Sequence, residues 1–516
     1  MRSKIKTLPL AALLMASSTA SAVEVGPANI YGFVRQHMSW NLQDQYVTSG
    51  DKLDSAGEMS MNRTTLQLEG SVNLPYDALL VAVGRANWEQ RLDYLKDLRD
   101  AGAYGNESIG DYYDDEQIRE LYLDIPVGDR TILKLGKQQV AWGETDFFQA
   151  MDIVHGFNYQ WRAFLEPANE DLRKPLIMAN AIIDIYELDG SLQLLYRPGW
   201  DDQEDIGISY DVEGGRWASN PWQGTHFPTV DPYNYNHSSG DYQDETYGLR
   251  WNGRLDDLGY SLAYLKTFNP DPVMNANPFF GGKAYEGEYG NNGSSPATIG
   301  EIIYPMIDMF GFTMNGYSGF GDFVWSTELA YLKDAPFNYG GPGEGAALCN
   351  NALPNGFCGI EEKDVVRAMV RVDKNLSFVQ DLVGAEKPAF FSMQLFDTWI
   401  QDYDSRENLK VLVGQPELKE EHSFLLTTIL GLSYMNGRLT PELVTGFDLT
   451  YGGGFAVPSV TYTIGNHWKI KGEFDVFWSD ETRTSGSPTP DKSEENSLFG
   501  WFENKDQFAM TVTYQF

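Results

Sequence analysis

Every second residue is apolar in segment after segment of this chain. In HWKIKGEFDVFWSD, Trp468, Ile470, Phe474, Val476 and Trp478 fall on one face, and Lys469, Lys471, Glu473 and Asp475 on the other. In VVRAMVRVD, Val366, Ala368, Val370 and Val372 oppose Arg367, Arg371 and Asp373. The C-terminal QFAMTVTYQF sets Phe508, Met510, Val512, Tyr514 and Phe516 against Gln507, Ala509, Thr511, Thr513 and Gln515. A period of two is the signature of a β-strand. Charged side chains on one face of so many strands cannot enter a dry core. They need water, while the opposite face needs an apolar medium.

Spacing sharpens this reading. Strands are expected near 28–41, 58–73, 78–91, 115–126, 130–141, 175–187, 190–198, 243–254 and 258–268. Further strands are expected near 305–316, 320–333, 363–375, 389–402, 421–436, 440–452, 456–465, 466–480 and 505–516. Connections alternate between short turns (NLPYDA, IPVGDR, ELDG, RLDDLG) and long loops (92–114, 142–174, 199–242, 269–304, 334–362, 481–504). The exceptions are 376–388, long for a turn, and the Gly452–Gly454 run, short for a loop. Turns at one end and loops at the other describe an all-β, transmembrane antiparallel barrel of about 16–18 strands. In such a barrel the last strand pairs with the first and removes both edges. A large secreted sandwich or propeller is the alternative. It has no need for charges opposite an apolar face on nearly every strand.

The first residues fit export. MRSKIKTLPLAALLMASSTASA runs from Arg2, Lys4 and Lys6 through an apolar stretch to Ala20-Ser21-Ala22, the order of a secretory signal peptide cleaved near Ala22. Residues 23–516 would then form a single barrel domain. A mean hydropathy of −0.37 does not oppose a membrane barrel, whose strands are half polar. The formal charge of −35 repels phosphate backbones and argues against nucleic acid as a partner. Cys349 and Cys358, in CNNALPNGFC, read as a disulfide closing a small loop of an exported chain. Two acidic stretches, DYYDDEQ (111–117) and GWDDQED (199–205), could hold Ca²⁺ through carboxylate oxygens or remain solvated loops. No other cofactor is indicated.

The six histidines form no HExxH, and G-x-S-x-G is absent. No catalytic residue is assigned, although a Ser/His pair on neighbouring strands, with His467 as a candidate, would leave no spacing signal. Loop 142–174 is unusually apolar for a connection. Glu144 opens helix-like spacing through Phe147, Phe148, Met151, Ile153 and Val154. So much apolar surface should not face solvent, so an inward-folded helical loop is expected, acting as a constriction or plug.

The stretch LGKQQVAWGE, followed by DIVHG and DLRKPL, resembles a proteobacterial outer-membrane family known as domain of unknown function 1302. Gly136, Lys137, Gln138, Trp142, Gly143, Glu144, Asp152, Arg173 and Pro175 match its pattern, while HGFN stands where the family carries Asn-Pro. The resemblance implies an outer-membrane barrel associated with hydrophobic compounds such as alkanes and steroids, alongside large inner-membrane transporters. Phe516 likewise resembles the closing aromatic that barrel-assembly machinery reads. On this reading Trp142, Glu144, Phe147, Phe148, Asp152 and Arg173 line or shape a constriction. Arg367, Arg371, Lys469, Lys471, Glu473, Phe390 and Phe396 face the lumen. At 175–187, Met178 and Ile182 share a face with Asn180 and Asp184. Mixed lining of this kind suits an apolar or amphipathic solute, with outer-membrane lipid and lipopolysaccharide outside. A general or cation-leaning porin, a lipid hydrolase and a structural barrel remain alternatives.

Overall fold

The computed structural model describes residues 23–25, 28–46, 52–100, 113–146, 148–162, 164–166, 169–201, 204, 206–209, 230–231, 243–287, 300–340, 358–411, 417–479, 499, 502 and 505–516. Eighteen long strands close into one antiparallel ring. In chain order they are β1 (Ala28–Asn41), β2 (Met59–Asn73), β3 (Leu79–Glu89), β4 (Asp115–Val127), β5 (Thr131–Gln138) and β6 (Leu176–Ile185). Next come β7 (Gly190–Arg197), β8 (Thr246–Leu255), β9 (Leu258–Phe268), β10 (Met306–Ser318), β11 (Phe323–Tyr339) and β12 (Gly359–Leu376). The ring is completed by β13 (Ala389–Ile400), β14 (His422–Gly431), β15 (Leu439–Asp448), β16 (Gly454–Ile464), β17 (Trp468–Trp478) and β18 (Gln507–Gln515). Each strand pairs with its sequence neighbours, and β18 closes on β1 from Phe33↔Gln515 to Asn41↔Gln507.

Alternation decides which face looks inward. In β18, Gln507, Ala509, Thr511 and Thr513 are buried, whereas Phe508, Met510, Val512 and Tyr514 are more open. The same parity places Glu473 and Asp475 of β17 inside and Phe474 outside. Along the outer face of β17 run Trp468, Ile470, Gly472, Phe474, Val476 and Trp478. The two tryptophans are separated by about 33 Å at ~3.3 Å per residue. At the ~40° tilt usual for such barrels this projects to roughly 25 Å, the height of an apolar membrane band.

The short turns lie at one end, save the β15–β16 connection at 449–453, which turns tightly at the other end through Gly452 (φ 82°) and Gly453 (φ 95°). Those at the first end use left-handed residues at Tyr76, Asp77, Asp189, Asp256 and Asp322. Asp and Asn are among the few side chains that tolerate such φ values. The long turn at 376–388 holds a helix, α1 (Ser377–Val383), stopped by Gly384 at φ 66°. A left-handed glycine is the common helix terminator. Three short strands, at Val230–Asp231, Val273–Ala276 and Gly300–Ile303, form a small sheet within the loops of the other end.

Loop 142–174 departs from the expected helix. Its only helical turn among the described residues is Asn169–Leu172. Amides along this stretch go to side chains instead. Within the expected helix, Glu144 and Met151 (3.2 Å) donate N–H to Glu328 and Asp146 donates to Gln394 Oε1 (3.4 Å); just before it, Val140 N–H donates to His155 Nε2 (2.9 Å) and Trp142 N–H to Asp152 Oδ1 (3.2 Å). Backbone groups satisfied in this way gain nothing from helix formation.

Candidate functional site

The segment from Gln139 to Pro175 leaves β5 and returns to β6. Its entry is set by two close approaches. A Cβ at Gly136 (φ 134°) would lie 2.2 Å from Leu121 O, so β4 and β5 pair there only because the side chain is absent. A Cβ at Gly143 would lie 2.9 Å from Asp152 Cβ. Trp142, fully buried, donates through Nε1 to Gln193 Oε1 (3.0 Å). Asp152 also accepts from Arg173 (2.5 Å), whose guanidinium lies 5.6 Å from the Phe157 ring. Trp142, Asp152 and Arg173 are thus knotted together inside the segment, and each is almost wholly buried. Glu144 is exposed, and its carboxylate accepts from Asn315 (3.0 Å).

His155 completes the knot. It is buried, its Nδ1–H donates to Lys174 O (2.8 Å), and its Nε2 accepts from Val140. Burial, reinforced by the nearby Arg173 charge, pushes the imidazole down to about 3. The ring is therefore neutral at physiological pH and serves as a fixed donor–acceptor bridge.

Around this knot the segment touches walls on opposite sides of the ring. Its apolar residues Trp142, Met151, Ile153 and Val154 share a core with Leu176, Leu195, Leu265, Ile307 and Leu332 of the strands. Inward glycines make the room: a Cβ at Gly248 would meet the Trp142 ring at 2.9 Å, and one at Gly311 would meet Met151 Sδ. On another side, arginines of β1 to β3 hold its acidic end. Arg35 meets Asp171 (3.1 Å), Arg85 meets the same carboxylate, and Arg63 meets Glu166 (2.7 Å). From β4, Arg119 donates to Glu170 O (2.6 Å) and Arg173 O (2.8 Å). Burial works to raise the Asp171 carboxyl, but Arg85 and Arg35 outweigh it and hold it below its ordinary range.

The polarity reverses at β17. There the segment supplies the cation: Arg162 bonds Glu473 (2.7 Å) and Asp475 (3.0 Å), with all three side chains under 5% exposed. From β12 and β13, Arg371 (3.0 Å) and Gln394 (2.8 Å) hold Asp146.

Beside Arg162 lies a cluster of phenylalanines. Phe164 packs against Phe148 (5.3 Å between centroids), Phe455 (5.0 Å), Phe499 (6.0 Å) and Phe502 (5.9 Å). Phe148 also meets Phe396 of β13 edge-on at 6.3 Å. Phe396 and Phe148 are therefore in contact, while Phe147 lies outside the described residues. Phe390 shares the inward parity of Phe396 but sits at the turn end of β13, 41% exposed and apart from the cluster. Arg367 faces inward toward Asp271 (3.6 Å), and Lys471 pairs with Glu473 (2.6 Å). Lys469 shares the inward parity of Lys471 nearer the turn end.

Sequence reasoning did not single out Arg35, Arg63, Arg85, Arg119, Arg162, His155 or Glu328. The available signal was an arginine at inward parity in successive strands, against the acidic NEDL of the loop. Its meaning depends on strand register.

The other candidates fall differently. Asp201 serves Arg197 (2.6 Å) and the Ile177 amide (2.9 Å), and Asp114 serves Arg91 (2.9 Å). Residues 111–112, 202–203 and 205 of the acidic stretches lie outside the described residues. Among the described residues no group of three His, Cys, Asp or Glu side chains is placed to hold a metal ion. His467 directs Nδ1 at Gln515 O (2.9 Å), a backbone partner. Cys358 is buried at the start of β12, and Cys349 lies outside the described residues.

A search of curated proteins finds no match. Among solved structures, the chain is similar to OpdK of Pseudomonas aeruginosa, determined with vanillate (10% identity, 95% of this chain and 98% of that one, TM-score 0.45). It is similar also to OccAB1 of Acinetobacter baumannii (9% identity, 95% and 96%, TM-score 0.47) and to Salmonella typhi OmpF in complex with daunomycin (10% identity, 95% and 97%, TM-score 0.39). Likenesses this distant say nothing about cargo. The model of one family, described as "Protein of unknown function (DUF1302)", matches residues 5–516, and the chain belongs to that family.

Proposed function

We propose that this protein is an outer-membrane barrel that passes hydrophobic or amphipathic small molecules, with segment 139–175 as its internal constriction. The phenylalanine cluster carries the reading. Phe396, Phe455 and Phe477 occupy inward strand positions and meet Phe148 and Phe164 of the segment. A bore for sugars or ions is lined with polar groups and water. Here one inner wall carries aromatic rings packed under the segment, and an alkane-like or sterol-like solute that takes the place of Phe148 and Phe164 there removes its apolar area from water at no polar cost. Membrane placement is supported by the outward apolar band from Trp468 to Trp478. Export after cleavage near Ala22, recognition of Phe516 by the assembly machinery and a Cys349–Cys358 disulfide belong to the same proposal.

The test pairs conductance with uptake. Refolded protein in a planar bilayer should be nearly silent, and cells producing it should take up labelled hexadecane or a labelled sterol. Phe148→Ser, at a half-buried position, should lower that uptake while leaving the barrel folded. Large steady conductance steps with unchanged hexadecane uptake in Phe148→Ser would replace this reading with the porin one.

A further inference from the structure

The barrel wall has a gap in its hydrogen bonding. Between β16 and β17 the ladder runs from Gly454↔Trp478 to Ala456↔Val476 and resumes at Ser459↔Glu473 in the same register. The skipped positions are Val457 opposite Asp475 and Pro458 opposite Phe474. On its other edge Pro458 stays in an unbroken ladder opposite Leu443 of β15. The N–H that proline lacks is therefore missing on the β17 side. Proline within a sheet is ordinarily confined to edges and bulges, yet this one sits mid-strand in a closed ring.

Apolar groups lie on both sides of the gap. Outside, a groove of about 450 Å³ is lined by Leu443, Pro458, Val460, Gly472, Phe474 and Phe508. Inside, Val457 packs with Phe455, Phe477 and Phe164 in the phenylalanine cluster. The inward residues of β17 at the gap, Asp475 within it and Glu473 at its edge, are the pair that Arg162 binds. The segment thus pins the inner side of this stretch of wall.

We propose that the β16–β17 seam at Pro458 is a lateral port, through which an apolar molecule held at the inner phenylalanine cluster passes through the wall into the surrounding bilayer. The inference rests on the hydrophobic-cargo reading. An apolar solute leaving along the barrel axis must enter water and lose the free energy of its burial. A passage from aromatic cluster to outer groove keeps it out of bulk water, with the Arg162–Glu473–Asp475 triad beside its inner mouth.

A reversible staple tests the port. Ala456 and Val476 are cross-strand partners on the outer face beside the gap, so Ala456→Cys with Val476→Cys can lock the seam. Ile470→Cys with Val512→Cys makes the matching staple between β17 and β18. Tritiated hexadecane is the probe, given to cells producing the full chain. The oxidised β16–β17 staple should cut uptake severalfold, with recovery on reduction, while the β17–β18 staple and the reduced wild type remain at wild-type level. Gly472→Leu gives a thiol-free arm. A Cβ there meets nothing closer than Phe508 Cε2 at 3.8 Å, so the side chain fills the groove without a backbone clash and should also lower uptake. Equal uptake by both stapled proteins and by Gly472→Leu, with an active wild type, overturns the port alone. No uptake by the wild type overturns the cargo reading and the port with it.

Discussion

Replacing Arg162 by Gln should release the internal segment without unfolding the barrel. Arg162 is 1% exposed, and its partners Glu473 and Asp475 are 4% and 0% exposed. Water cannot take the guanidinium's place while the segment stays docked. Breaking a buried ion pair by removing one partner costs about 3–5 kcal/mol. That charge is relieved if the segment lifts and lets water reach the two carboxylates. The open population should therefore rise by about two to four powers of ten. The eighteen-strand ladder does not depend on Arg162, so the folded protein should keep its heat-modifiable migration on a gel. In a planar bilayer the wild type should be nearly silent and Arg162→Gln should show frequent openings. Neutralising the whole group, with Arg162→Met, Glu473→Gln and Asp475→Asn together, removes the stranded charges and should restore silence. An Arg162→Gln protein that folds normally and stays as silent as the wild type would refute the claim that this triad holds the segment down.

Two further outcomes follow from the same packing. Gly136→Ala should fail to give a heat-modifiable folded band, because its Cβ meets backbone at 2.2 Å, whereas Gly143→Ala, against Asp152 Cβ at 2.9 Å, should fold but loosen the segment by about 1–3 kcal/mol, read as added openings in conductance. His155 is held neutral in the fold with its pKa at about 3, below the ~6.5 of a free imidazole. The unfolded or undocked segment binds the proton more readily, so docking is fully supported above about pH 6.5 and weakens as pH falls toward 3. Selectively labelled histidine should show a His155 ring resonance that stays flat from pH 8 to 5. A midpoint near 6.5 would contradict its burial.

The strands were legible because their signal is local. Alternation in Trp468–Trp478 or Phe508–Tyr514 follows from the two faces of one extended chain and needs no knowledge of neighbours. The end that carries the turns and closure of β18 on β1 follow from alternating connections and from the need to leave no open edge, while counting left about 16–18 strands and pairing in the structure gave eighteen. The inward parity of Arg371, Glu473 and Phe396 comes from the same rule. Tertiary structure alone decided what those inward groups meet. Helix-like spacing in 144–154 did not produce a helix, because Glu328 and Gln394, far along the chain, take its amides at Glu144, Asp146 and Met151. Arg162 finds its carboxylates 311 and 313 residues away. The gap at Pro458 depends on which neighbour its missing N–H faces. Such pairings are set by register and ring closure, which no short window of sequence contains.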